Sequence, residues 1–181
     1  MASYSDWAAR ARVPLHFLLA ALVAVFARPT APLLAGGAAL VAAGLVVRAW
    51  AAGHLRRELP LTTSGPYAYV RHPLYLGSAL ILAGFAAASA RLWLAGVCVA
   101  YYLLLFLPVI LREEAERRAL APERYADYAR RVPALVPYRG RVTVEGGRRF
   151  TWAVWRANRE WRAEIGCALL LGLLTARLLW G

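Results

Sequence analysis

LYLGSALILAGFAAASARLWLAGVCVAYYLLLFLPVIL, residues 74–111, carries a single charged side chain, Arg91, along its whole length. A helix that crosses the hydrocarbon core of a bilayer takes about 20 mainly apolar residues. This stretch is long enough for two such helices. Residues 74–90 and 92–111 therefore read as a hairpin of membrane helices turning at Arg91. Upstream, residues 33–53 form another apolar run, with Arg48 near one end, where its side chain can reach lipid headgroups. Residues 13–27 form a shorter run that residues 7–11 can lengthen. Residues 165–179 form a fifth, also short. The expectation is an all-α, polytopic membrane protein with about five transmembrane helices and amphipathic helices at the cytosolic surface. The whole chain, 1–181, is one membrane-embedded domain.

The composition agrees. Of 181 residues, 61% are hydrophobic and only 18% charged, and the mean hydropathy is +0.48. Soluble domains carry about 25% charge and roughly 45–50% apolar residues. A disordered chain, a soluble nucleic-acid-binding domain and an ordinary soluble enzyme are excluded, despite a net charge of +12. The basic residues are all arginine, 22 of them. With the N-terminus inside, Arg28, Arg91 and Arg177 alone fall outside and the others face the cytoplasm, as the positive-inside rule requires. The seven tryptophans fall near span ends, where aromatic belts sit. The first apolar run lacks a convincing cleavage site and reads as a retained span. Cys98 and Cys167 lie in spans without metal-ligand spacing, and no metal site is expected.

Polar residues gather in two segments that face inward in this topology, 54–73 and 112–164. The first contains Thr62-Thr63-Ser64-Gly65-Pro66, a turn by composition, then Tyr67, Tyr69 and Arg71-His72-Pro73. Proline suits the first turn of a helix and pushes the preceding residue toward an extended conformation. His72 is thus expected at the entrance of the third span. There the unsatisfied N–H groups, together with Arg71, offer a seat for an anion, and Gly77 one turn later permits a close approach to the backbone. Each residue alone also fits a structural role, as headgroup anchor, cap or packing glycine. The second segment opens with Arg112-Glu113-Glu114. Adjacent helical side chains diverge by about 100°, so one carboxylate can bind while the other pairs with Arg117 or Arg118. Pro122 interrupts the helix and begins an amphipathic one over Pro122–Arg131, with Tyr125, Tyr128, Ala129 and Val132 on one face. An extended stretch through Val132-Pro133 and Pro137 follows.

The strings Gly65-Pro66-Tyr67-x-Tyr69-Val70-Arg71-His72-Pro73-x-Tyr75-x-Gly77, Glu113-Glu114, Tyr125-x-x-Tyr128 and Arg131-Val132-Pro133 with Pro137 resemble the isoprenylcysteine carboxyl methyltransferase family. That family sits among small membrane-embedded methyltransferases that include the phospholipid methyltransferases. The resemblance covers residues 61–142, the methyltransferase-like core. It implies S-adenosylmethionine as methyl donor and S-adenosylhomocysteine as product. It also implies a donor site at the cytosolic face, and a lipophilic acceptor reached from the bilayer, most like the carboxylate of an isoprenylcysteine. Carried over, Tyr67, Arg71, His72, Pro73, Tyr75, Gly77, Glu113 and Glu114 contact the cofactor, and Tyr125, Val132, Pro133 and Pro137 wall its adenine side. Arg117 stands where the family usually has leucine, and Ala121-Pro122 where it has Phe-Gly. Residues 143–181 form a C-terminal extension with the fifth span.

A sulfonium donor is already activated, so the protein has mainly to align acceptor and methyl and to exclude water. Arg112 and Glu113 are the expected catalytic pair, Arg112 to orient an acceptor carboxylate. An amine or thiol acceptor would need a base, His72 or a glutamate. A phospholipid amine or a small thiol is the alternative acceptor. A sterol-type reductase using NADPH and a non-enzymatic binder of anionic lipid are the alternatives of other classes. Membrane lipids are the expected surroundings, and nucleic acid is not an expected partner.

Overall fold

The computed structural model describes residues 4–56, 58–59, 61–142 and 149–180. Arg57 and Arg148, counted above among the inward-facing arginines, lie outside them. The described residues hold helices and turns and no strand. In chain order the helices are α1 (Tyr4–Phe26), α2 (Ala31–His54), α3 (Pro73–Ala88), α4 (Leu92–Leu105), α5 (Leu107–Leu120), α6 (Pro122–Arg131), α7 (Trp152–Ala157) and α8 (Trp161–Trp180), with a 3-10 turn at Gly65–Ala68. Among the described residues, three helical stretches are long and apolar enough to cross a membrane: Ala31–His54, Leu92–Leu120 and Trp161–Trp180. Val13–Phe26 and Pro73–Ala88 are apolar but shorter.

The core is narrow and the apolar surface broad. Val23, Val41, Leu94, Leu105 and Leu174 are buried, whereas Phe17, Val46, Leu92 and Leu169 are each at least two-thirds exposed. So many exposed large apolar side chains are costly in water and ordinary in lipid.

Glycines bring α2 and α3 together. A Cβ added to Gly44 would lie 2.6 Å from the Gly77 carbonyl oxygen, and one added to Gly37 would lie 2.4 Å from that of Gly84. The backbones therefore touch directly, the packing that small residues permit between membrane helices.

On its other side α3 meets α4 across small side chains. Ala79, Ala83 and Ala86 face Cys98 and Tyr102 around an apolar hollow of about 190 Å³.

The sequence led us to expect one uninterrupted helix over residues 92–111. The stretch is helical, as Leu92–Leu120 shows, but is interrupted at the single residue Phe106, between α4 and α5, which keeps αR dihedrals while its amide donates to Tyr102 and its carbonyl accepts from Ile110. Pro108 has no N–H to donate to the carbonyl four residues back, and its ring crowds that group. The Leu104 carbonyl accepts instead from the Tyr4 hydroxyl of α1 at 3.0 Å. Beyond the break α5 carries Arg112, Glu113 and Glu114 toward the start of α3.

A smaller core of Tyr125, Tyr128 and Val132, with Leu61, Ala129 and Val142 against it, seats α6 on the segment before α3.

Candidate functional site

His72 is the N-cap of α3 and Pro73 its first residue, as the sequence predicted. The amides of Arg71 and His72 donate to the carbonyls of Pro133 (2.8 Å) and Ala134 (3.0 Å). The stretch after α6 is thereby laced alongside the helix entrance. Arg71 completes the lacing with its side chain. Its NH1 donates to the carbonyls of Ala129 (3.1 Å) and Val132 (2.9 Å), and its Nε and NH2 donate to Oε1 of Glu114 at 2.9 and 2.6 Å. His72 Nε2 meets the same oxygen at 3.0 Å. The Arg71 guanidinium is thus committed to protein acceptors on every nitrogen. It acts here as a bracket joining α3, α5 and α6. The anion seat read from the sequence has its arginine already engaged.

The two glutamates diverge as helical neighbours must. Glu114 points into the bracket. Glu113 accepts from the Tyr75 hydroxyl at 2.5 Å, and its other oxygen lies 3.6 Å from Arg117 NH2. Glu113 is about a third exposed, so it retains room to accept further hydrogen bonds. Tyr75 is held at its backbone too, where its carbonyl accepts from the Tyr102 hydroxyl at 3.2 Å. The rings of Tyr75 and Tyr102 both pack on Phe106, at the helix break.

Tyr125 is 1% exposed, and its hydroxyl makes no hydrogen bond of good geometry within the described residues. Burial, then the charge of nearby Glu114, pushes this phenol above its ordinary range. Burial also lowers His72 from its ordinary 6.5, with the Glu114 contact opposing the shift. His72 is therefore neutral near pH 7 and donates Nε2–H to the carboxylate. The Tyr128 hydroxyl, pushed upward by burial, donates to the Tyr67 carbonyl at 2.6 Å and fastens α6 to the 3-10 turn.

Of the residues singled out in the sequence, Arg71, His72, Pro73, Tyr75, Glu113, Glu114, Val132 and Pro133 come together at this end of the bundle. Tyr125 joins them from α6. Tyr67 is buried beneath the same helix, and Pro137 is exposed at the end of the extended stretch. Two placements differ from the expectation. Gly77 faces α2, where an added Cβ would lie 2.5 Å from Arg48 Cγ, so its missing side chain serves helix packing. Arg112 pairs with Asp6 of α1 at 2.6 Å and with Glu116 at 3.0 Å. One residue's turn along α5 separates its direction from that of Glu113. Tyr102, which supports Tyr75, was not singled out in the sequence. Its only signal there was a polar tip in an otherwise apolar run.

Comparison with known proteins bears on what this arrangement is for. The chain is 37% identical over 109 residues to the cobalt-zinc-cadmium resistance protein CzcN of Cupriavidus metallidurans, a match covering 57% of this chain and 50% of that one. It is 33% identical over 110 residues to the nickel-cobalt-cadmium resistance protein NccN of Alcaligenes xylosoxydans xylosoxydans, covering 60% and 51%. It is 37% identical over 84 residues to a methanethiol S-methyltransferase of Crocosphaera subtropica, covering 46% and 31%. The chain thus spans about half or less of the length of these curated relatives. No solved structure gives a significant match. Residues 33–116, from α2 to the paired glutamates, match the family model described as phospholipid methyltransferase. Over that span, a little under half of the chain, it is similar to the phospholipid methyltransferase family, membrane methyltransferases of the kind that the Arg-His-Pro and Glu-Glu motifs resemble.

Proposed function

We propose that the protein transfers a methyl group from S-adenosylmethionine to a lipophilic acceptor at the cytoplasmic face of a membrane. The observation that carries this reading is the division of labour between the paired glutamates. Glu114 is consumed in holding α3, α5 and α6 together, while Glu113 stands beside it with acceptor capacity to spare.

The residues present fit the donor. Glu113 suits its ammonium or ribose hydroxyls. The buried Tyr125 hydroxyl offers a polar partner close by, and Val132 and Pro133 supply an apolar wall. When bound, the sulfonium supplies an activated methyl group. The protein's part is then to bind, to orient and to keep water out, which alone accounts for a large share of the rate. A carboxylate acceptor, as in an isoprenylcysteine, attacks without a base. A thiol is the second reading, favoured by the relative named methanethiol S-methyltransferase. For a thiol, neutral His72 has the protonation state of a base, its Nδ1 lone pair remaining when Nε2–H is donated.

The test uses protein purified in detergent. S-adenosylhomocysteine should raise its melting temperature, and NADPH should not. Labelled methyl from the donor should then enter one of three acceptors offered in parallel: a prenylcysteine, a phosphatidylethanolamine or methanethiol. Stabilisation by NADPH, or by neither nucleotide, defeats the proposal.

A further inference from the structure

The last carbonyls of a helix have no partner within it. At the end of α2 these are met from residues 150–160. Thr151 N donates to the Gly53 carbonyl at 3.1 Å, and Asn158 Nδ2 donates to those of Ala52 (2.9 Å) and Leu55 (3.2 Å). Phe150 lies over Gly53, where an added Cβ would come within 2.1 Å of the ring. The C-terminal extension, outside the residues matched by the family model, is docked on α2.

One turn earlier on α2, Arg48 makes a two-pronged pair with Glu160, Nε to Oε2 and NH2 to Oε1, each at 3.0 Å. The side chains are only 20% and 12% exposed. This fork leaves NH1 to donate to the Ser78 hydroxyl at 2.6 Å and to the Leu74 carbonyl at 3.3 Å. Leu74 lies between Pro73 and Tyr75, in the first turn of α3. Arg48 thus joins Glu160 to the turn that aims Tyr75 at Glu113 and His72 at Glu114.

Resting on the methyl-transfer reading above, we propose that Glu160 is a positioning residue for that site. It fixes the Arg48 fork, so that NH1 holds the first turn of α3 and with it the Tyr75–Glu113 pair. Without Glu160, Arg48 is a long cation freed to swing toward headgroups, and the Leu74 carbonyl loses its outside donor. Misplacing a bound reactant by about 1 Å can cost a hundredfold in rate.

The test compares four proteins in one detergent: wild type, Glu160→Ala, the exchange Arg48→Glu with Glu160→Arg, and Arg177→Gln. The last loosens α8 elsewhere, where Arg177 donates to the carbonyls of Ala24 and Val25 on α1. Each is measured for kcat and KM of methyl transfer, for melting temperature, and for hydrogen exchange at the amides of Tyr75 and Leu76. Both amides bond to the His72 carbonyl. Glu160→Ala should lower kcat by about tenfold to a hundredfold and speed exchange at both amides. The exchanged pair should recover melting temperature but not kcat, because a carboxylate at position 48 has no donor for the Leu74 carbonyl. Arg177→Gln should leave both amides as in wild type. Full kcat in the exchanged pair, or unchanged kcat and exchange in folded Glu160→Ala, overturns the proposal. If wild type transfers no methyl group, the activity assignment falls, and amide exchange alone decides the positioning of α3.

Discussion

Replacing Glu114 with alanine separates a residue that builds the site from one that touches a ligand. The change removes the acceptor of three contacts, from Arg71 Nε, Arg71 NH2 and His72 Nε2. The Arg71 side chain is 15% exposed, so most of its charge stays desolvated when its partner goes. Breaking a buried pair from one side costs about 3–5 kcal/mol. The residual exposure of both partners puts this case at the lower end, about 3 kcal/mol. For a protein of this length that corresponds to a fall in melting temperature of roughly 6–12 °C. Glu113→Gln should behave differently. Glu113 is more exposed and lies outside the bracket. Its loss should shift melting temperature by less than about 2 °C while weakening binding of S-adenosylhomocysteine at least tenfold. The assay is a thermal scan of both variants with and without that nucleotide. If Glu114→Ala melts with wild type and only nucleotide binding fails, Glu114 is a ligand contact and the bracket argument is wrong.

Two further outcomes follow from the geometry. His72 is held below its ordinary 6.5 by burial, so the unfolded chain takes up a proton at higher pH than the folded one. Stability should therefore decline as pH falls through about 6.5 and stop declining once the folded histidine protonates; His72→Gln should flatten that slope in melting temperature between pH 7 and 5. Gly44→Ala should lose about 1–3 kcal/mol, because the new methyl meets backbone of α3, whereas Gly36→Ala, with open space around it, should unfold in denaturant like wild type.

Much of this site could be read along the chain because its parts are short strings of contiguous residues. Arg71-His72-Pro73 announces a helix entrance through proline chemistry alone, and Glu113-Glu114 must diverge on any helix. What escaped the sequence was pairing across distance. Nothing local tells Arg48 that its partner is 112 residues away, or Arg112 that Asp6 awaits it. Arg71 looked like an open cation because two of its acceptors are the backbone carbonyls of Ala129 and Val132, which carry no sequence signal, and the third, Glu114, is 43 residues away. For Gly77 alone the packing reading was the better one, its company of site residues pulled the other way, and the placement of α2 decided for packing. Pro108 was visible, but the apolar run around it masked the break. The orientation of the bundle and the identity of the acceptor belong to the membrane and the substrate, neither of which is written in helix periodicity.

On the proposed function, the glycine contacts between α2 and α3 bear on where a lipophilic acceptor would enter. Two helices resting carbonyl against glycine at Gly37–Gly84 and Gly44–Gly77, with Val41 and Ile81 packed between them, hold that seam by backbone contact. An alanine-faced hollow lies on the opposite flank of α3. It lies beside Tyr102, whose hydroxyl reaches the backbone of Tyr75. A molecule nosing in from the lipid there would meet Tyr102 first, and Tyr102 is tied to the backbone of the residue whose phenol Glu113 holds, with the α2–α3 seam behind it as a fixed jamb.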